Sequence, residues 1–398
     1  MNVPTIDINL YGPEIAADPW PLVRQIREMG PVVYNKRGQY VTAQDRVCRE
    51  IMTHPEKAGM KGVMSSIFGE EAFISIDEPT MHNALRNAWV SAFGKNGVEK
   101  LVPHTRKIAS GLLDDALEKL ETEGQVDMQP VFCRPIPAYV IAHMMGVERE
   151  FIPTIIRWAD DMARATANGH PIDYDNDPCW LKSEQAKADL GDFLIEQIGY
   201  RSTNPGNDLV SAIVHSDIGQ QVSTHQMMVN LRQLLFAGNE TTSNWLGHIV
   251  TILGERPDIR EELRRDRTLV PAALEEVLRW LGVSQVLPRT VCDEGAVIGG
   301  VDLPAGAHVM AMVGAAGRDP ARYANPEEFD IHRPQKPHLA FGFGMHSCLG
   351  ATLARMEALQ VTNLLLDRLP DYHFAAPITY DNFILRGPSR LLIEISAA

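Results

Sequence analysis

The sequence predicts a mainly α-helical protein with a minor β portion, a chain of α+β class. Three observations carry this expectation. Apolar residues recur at helical spacing from about Asp45 to Leu281, short β-like runs cluster between Val286 and Val313, and one apolar stretch is far longer than an ordinary helix. In chain order, Val32-Val33-Tyr34 and Tyr40-Val41-Thr42, with Arg37-Gly38 between them, read as an N-terminal hairpin. Helices follow, punctuated by Gly- and Pro-rich breaks such as Thr203 to Asn207. The β-like runs are Val297-Ile298, Val301 to Leu303 and His308 to Met310, with Gly299-Gly300 and Pro304 to Gly306 as turns. A last strand pair is expected around Ile384-Leu385 and Leu391 to Ile395. No repeat, low-complexity tract or linker divides the chain, so residues 1–398 read as a single domain.

The long stretch is the clearest element. Ser223 followed by Gln226 fits a capping box, and apolar residues continue to Leu253 before Gly254 and Pro257 signal a stop. About 30 residues at 1.5 Å each make a rod of roughly 45 Å. Its middle, Ala237-Gly238-Asn239-Glu240-Thr241-Thr242-Ser243-Asn244, is polar where a buried helix would carry Leu or Ala. Two readings stand side by side: a bend with threonine bonded back to a carbonyl, or groups that face a reaction site.

Composition excludes several classes. Lys and Arg number 37 against 51 Asp and Glu, a net charge of −14 that repels phosphate backbones and disfavours nucleic-acid binding. No apolar run reaches the ~18 residues that a membrane span needs, and the N-terminus lacks the pattern of a signal peptide. The five cysteines, Cys48, Cys133, Cys179, Cys292 and Cys348, are odd in number and scattered, against a disulfide framework or a structural zinc site. A cytoplasmic protein is the expectation.

One segment carries the chemistry: Phe341-Gly342-Phe343-Gly344-Met345-His346-Ser347-Cys348-Leu349-Gly350. Its glycines specify an unusual backbone path. Leu349, Leu353 and Met356 start a helix just past Cys348, so free N–H groups and the positive dipole end are expected to favour a thiolate. That suits metal ligation or nucleophilic attack.

These residues resemble the haem-binding loop of the cytochrome P450 family. The resemblance extends, in the family's order, over Asp77 to Arg86 (start of its C helix), Ala237 to Thr241 (oxygen-activation motif), Glu276-x-x-Arg279, Gly317 to Pro320 and Asn325 to Pro334. Two departures occur: Gly317 stands where Asn is common before Arg318-Asp319-Pro320, and Trp89 where a smaller residue is common. The resemblance implies a P450-like fold with its long helix over the haem, and residue roles follow. Cys348 would be the iron ligand, its thiolate pushing electron density toward the metal. His82, Arg86, Arg289 and His346 would hold the haem propionates. Phe341, Gly342, Gly350, Ala237 and Gly238 would line the cofactor, and Glu276 and Arg279 would pair within the fold, with Arg333. Glu240 and Thr241 would move protons in an otherwise dry site, on a helix loosened at Gly238.

The implied activity is a haem b monooxygenase that inserts one atom of O₂ into a small apolar organic molecule, by hydroxylation or oxidative O-demethylation. Ile67, Phe68, Leu234, Val286, Leu287, Phe383 and Ile384 are the candidate substrate residues. Glu184 to Asp189 and Val301 to Gly306 resemble enzymes that O-demethylate small methoxyarenes. With no room for a fused reductase, NAD(P)H electrons are expected through a ferredoxin and its reductase, the protein acting as a monomer. A basic face of Arg355, Lys95, Lys100, Arg106 and Lys107 would dock the ferredoxin. Two alternatives stay open: a hydrogen-peroxide-driven peroxygenase, and a non-catalytic haem or ligand binder, which would not need the Glu240-Thr241 pair.

Overall fold

The Thr224–Glu255 helix forms the axis of the fold in the computed structural model, which describes residues 3–167 and 176–395. Ser223 caps it, its Oγ accepting from the Gln226 N–H at 3.0 Å. The box is only half made, because the Gln226 side-chain amide donates to the Glu71 carbonyl instead. The helix runs unbroken through Gly238, and a Cβ there would make an ordinary contact with Ile141 at 3.4 Å.

Helices Pro135–Met144, Pro178–Thr203, Val270–Trp280 and Ala351–Arg368 pack around this axis. Burial follows two cores. Leu231, Leu234 and Leu235 pack with Val140, Leu190 and Leu194. Trp245, Ile249 and Val250 pack with Val277, Val361 and Leu365. The polar stretch 237–244 belongs to neither core, and its residue types are tolerated because it lies between them.

The β portion is small. Strands are β1 (Thr5–Ile6), β2 (Val33–Asn35), β3 (Gln39–Thr42), β4 (Ala58–Gly59), β5 (Gln125–Asp127), β6 (Leu287–Val291), β7 (Ala296–Ile298), β8 (Val301–Leu303), β9 (His308–Ala311), β10 (Tyr372–Phe374) and β11 (Leu392–Ile395). Six form a mixed sheet in the order β1-β2-β3-β9-β6-β4, with Val33 opposite Val41 in the expected hairpin and Arg289 opposite Val309. β7 and β8 pair alone through the Gly299-Gly300 turn, where φ is +60° and +81°, values that favour glycine. The C-terminal pairing differs from expectation. Leu385 bridges Ser284, while β11 joins β10 and β5, because β5 offers its edge to Leu392–Glu394.

The Glu276–Arg279 pair is present and buried, at 2% and 3% exposure. Arg279 Nε and Nη2 donate to the two Glu276 oxygens at 2.6 and 2.7 Å, and Arg333 Nε adds a third bond at 3.2 Å. Arg279 also donates to the carbonyls of Gly317, Pro326 and Glu328, tying the loop before Cys348 to the helical body. Both departures from the family pattern fit locally. A Cβ at residue 317 would lie 2.1 Å from the Arg279 carbonyl, and the buried Trp89 indole donates to the Leu209 carbonyl at 3.0 Å. Among the described residues no helix is long and apolar enough to cross a membrane.

Candidate active site

The loop carrying Cys348 is closed by its own backbone, with the Cys348 N–H donating to the Phe341 carbonyl at 2.8 Å. Gly342 and Gly344 hold φ values of +68° and +72°. At Gly344 a Cβ would also come within 2.5 Å of the Met52 carbonyl, so no other residue fits that bend. Gly350 begins the Ala351–Arg368 helix.

Cys348 presents an exposed surface, yet burial among protein atoms pushes its thiol pKa up. A group both accessible and desolvated lines a recess. The backbone N–H groups of Gly350 and Ala351 and the charges of Arg86 and Arg355 pull the other way without overcoming burial. The expected low-pKa thiolate is therefore not supplied by the helix terminus alone; a coordinated metal would deprotonate it. Phe341 lies under the Arg355 guanidinium at 4.4 Å and meets Trp245 edge-on at 6.0 Å. Arg355 is itself clamped by both Glu275 oxygens at 2.8 Å, with His338 at 3.2 Å from the same carboxylate. Burial opposes ionisation of Glu275, but these partners hold its pKa down at about 2.

Two histidines share one arrangement. His82 Nδ1 bonds the Phe73 carbonyl at 2.8 Å, and His346 Nε2 faces Asp77 Oδ1 at 3.4 Å. Their rings meet edge-to-face at 4.7 Å. The other nitrogen of each ring, His82 Nε2 and His346 Nδ1, is buried without a partner at full hydrogen-bond geometry among the described residues, although the Met345 carbonyl acts on the His82 ring. Arg289, 5% exposed, pairs with no carboxylate among the described residues, and burial lowers its pKa to about 10. Burial lowers Arg86 likewise, and the Cys348 charge acts on it. Two guanidiniums without a carboxylate partner among the described residues, near a recessed thiol, fit a ligand bearing two carboxylates, as haem does; each histidine, its N–H given to Phe73 or Asp77, adds a donor at its other nitrogen only as the imidazolium.

On the central helix Ala237 is exposed although neighbours such as Phe236 and Asn239 are buried. Thr241 donates its hydroxyl to the Ala237 carbonyl at 2.8 Å. The back-bonded threonine and the exposed face thus coexist. Thr242 is buried at 5%. Glu240 has its pKa raised to about 7, chiefly by burial, against the pull of Arg134, Arg164 and a bond to Asn244 and with a push from Asp160. A cavity of about 390 Å³ reaches Glu240 and is lined also by Arg134, Asp160, Arg164 and Asn244. Arg134 Nη1 lies 3.4 Å from Asp160 Oδ2.

The candidate substrate residues divide. Phe68 and Leu234 lie in the core beside the central helix, Phe68 meeting Phe236 edge-on at 5.3 Å. Val286 and Phe383, at 3% and 2% exposure, pack with Leu10, Ile26 and Val41; Leu287 and Ile384 are half-buried at the edges of neighbouring clusters. The side chain of Ile67 lies outside the described residues. Of the supposed docking cations, Arg355 is committed to Glu275 and Lys95 reaches Glu99 at 4.0 Å, while Lys100, Arg106 and Lys107 are exposed. Nothing in the sequence pointed to Arg134 and Asp160, which only tertiary packing brings to Glu240.

A family model described as Cytochrome P450 matches residues 27–370. The mycinamicin IV hydroxylase/epoxidase of Micromonospora griseorubida is 33% identical over 365 residues, covering 89% of this chain and 84% of that protein. The cytochrome P450 monooxygenase PikC of Streptomyces venezuelae is 30% identical over 407 residues, covering 98% and 94%. Among solved structures, cytochrome P450 CYP109Q5 from Chondromyces apiculatus superposes with a TM-score of 0.87 at 28% identity, covering 98% of this chain and 99% of that one. The activity is that of an oxidoreductase using haem b and O₂, with NAD(P)H electrons reaching it through redox partners. This chain belongs to the cytochrome P450 family and is a haem-thiolate monooxygenase.

Proposed function

We propose that the chain, acting as one unit, oxygenates an apolar organic molecule at the recess between Cys348 and the Ala237–Thr241 segment. The observation that carries this is a set of buried or half-buried polar groups near Cys348: the Arg86 and Arg289 guanidiniums, neither paired with a carboxylate among the described residues, and the ring nitrogens His82 Nε2 and His346 Nδ1. When bound there, the haem supplies O₂ binding and O–O cleavage. Cys348 would hold the iron, and Arg86 and Arg289, with His82 and His346, would hold the two propionates. Phe341, fixed under Arg355, would shield the protein side of the sulfur from water once the cofactor covers its exposed side.

The residues on the other face deliver protons. Glu240, half-protonated near neutral pH, can give a proton and recover one from the cavity it shares with Asp160. The Thr241 hydroxyl, donating to the Ala237 carbonyl at 2.8 Å, stands ready to redirect its hydrogen bond toward a ligand. Phe68 and Leu234, packed beside the central helix, favour a substrate without a carboxylate, oxidised by hydroxylation or O-demethylation. A relative named as a hydroxylase/epoxidase supports C–H oxidation. A ferredoxin and its reductase would supply electrons, docking through Lys100, Arg106 and Lys107 rather than through Arg355.

Carbon monoxide added to the reduced protein tests the assignment. The red-shifted Soret band of thiolate ligation is expected, and Cys348→Ser should abolish it. A band that survives the substitution refutes Cys348 as the ligand.

A further inference from the structure

The carboxylate of Asp77 stands where three parts of the chain meet. Its neighbour Glu78 caps the Pro79–Phe93 helix, accepting from the Thr80 and Met81 N–H groups at 2.8 and 2.7 Å. That cap fixes Asp77 relative to the helix that carries His82 and Arg86. Asp77 in turn accepts from the Met60 N–H at 2.9 and 2.7 Å and from the Lys61 N–H at 3.2 Å, gripping the start of the loop that leads to Phe68. Its Oδ1 also faces His346 Nε2 at 3.4 Å. The fit is close: a Cβ on Gly59 would lie 2.3 Å from Asp77 Oδ2, and Gly59 is held in β4 opposite Thr290, next to Arg289.

We propose that Asp77 is a positioning residue that fastens the loop beginning at Met60 to His346, so that cofactor seating and loop closure are set by one side chain. The proposal rests on the reading that His346 Nδ1 faces a haem carboxylate. Holding Nε2–H on Asp77 orients the ring and turns Nδ1 toward the ligand, where it donates to a carboxylate as the imidazolium. On the other side, the loop that packs Phe68 against Phe236 is held at its start by these two N–H groups and at its end by Arg232, whose Nη2 donates to the Phe68 carbonyl at 3.1 Å. A tie of this kind is reciprocal: loosening either end loosens the other.

The holoenzyme provides two separate readouts. Tryptic cleavage after Lys61, whose side chain is 83% exposed, reports loop opening, and haem transfer to apomyoglobin reports cofactor release. Asp77→Asn keeps the shape but loses the charge, and should speed both by about tenfold, the worth of hydrogen bonds to a charged group. The decisive pair acts from opposite ends. Gly59→Ala, which touches no cofactor, should speed haem loss, and His346→Ala should speed cleavage after Lys61. His82→Ala, tied to Phe73 instead, should speed haem loss and leave Lys61 protected. If Gly59→Ala affects only the loop and His346→Ala only the haem, the tie does not exist. Acceleration at every tryptic site alike means general destabilisation and overturns the proposal too. Should Asp77→Asn fail to fold, the Gly59 and His346 variants still decide. A wild-type protein that takes up no haem is a different outcome, which refutes the haem reading itself.

Discussion

Glu240→Gln tests the proton relay through a property that needs no turnover. In the folded protein the Glu240 pKa is raised from 4.5 to about 7, with burial the largest cause. The raised value means that folding favours the protonated form. Its contribution is therefore fully present below the unfolded pKa and is lost as pH rises through the folded one. Over that window the total is roughly 3 kcal/mol at 1.36 kcal/mol per pKa unit, and about 2.5 kcal/mol of it falls between pH 5 and 8. Glutamine keeps the shape and cannot ionise. Denaturant unfolding of the holoenzyme at several pH values, wild type against Glu240→Gln, isolates the term because all other groups titrate in both. The variant should gain on the wild type as pH rises, becoming the more stable protein at pH 8. It should also turn over about tenfold to a hundredfold more slowly, a barrier increase of ~1.4–2.7 kcal/mol, because proton entry is impaired. A more stable yet slower variant separates a functional acid from a structural one. A stability difference that stays flat from pH 5 to 8 refutes the buried, half-protonated acid and the relay built on it.

Other expectations follow from single contacts. Thr241→Ala should still bind haem and consume NAD(P)H but yield about tenfold less product per NAD(P)H, with peroxide taking the difference. Thr242, buried at 5%, cannot substitute, so Thr242→Ala should leave that ratio unchanged; the opposite pattern would reverse the assignment. Gly317→Ala puts a Cβ 2.1 Å from the Arg279 carbonyl and should cost about 1–3 kcal/mol by denaturant unfolding; an undiminished midpoint would show that the loop yields. Arg279→Lys cannot reproduce the paired bonds to Glu276 or reach three carbonyls at once. A loss of about 3–5 kcal/mol is expected, read as a lowered melting temperature and weaker haem retention.

Much of the fold was legible in the residues themselves. The cap at Ser223, the stop before Pro257, the β2–β3 hairpin and the β7–β8 turn all rest on local chemistry that short-range sequence encodes. The pairing of Glu276 with Arg279 was legible for the same reason, since residues three apart on a helix must meet. Strand partnership at the C-terminus was not. Whether Leu392–Ile395 pairs with residues 384–385 or with β5 depends on which edge lies free after the helices have packed.

The same division runs through the site. By itself the sequence determined that Cys348 sits in a glycine-bent loop before a helix, and that a polar stretch interrupts the longest helix. Glycines, caps and hydrophobic spacing act within a few residues and leave their mark there. Only the tertiary structure decided the protonation of these groups. Burial outweighs the helix N-terminus at Cys348 and lifts Glu240 to about 7, and desolvation depends on everything packed around a group, not on its neighbours in sequence. Tertiary packing also decided which cations remain free. Arg355, a docking residue by sequence, is locked to Glu275, while Arg289 is left with no carboxylate among the described residues and donates only to the Pro288 carbonyl at 2.8 Å. Charge pairing is set by distances across the fold, and those distances exist only once the helices and the sheet have closed on one another.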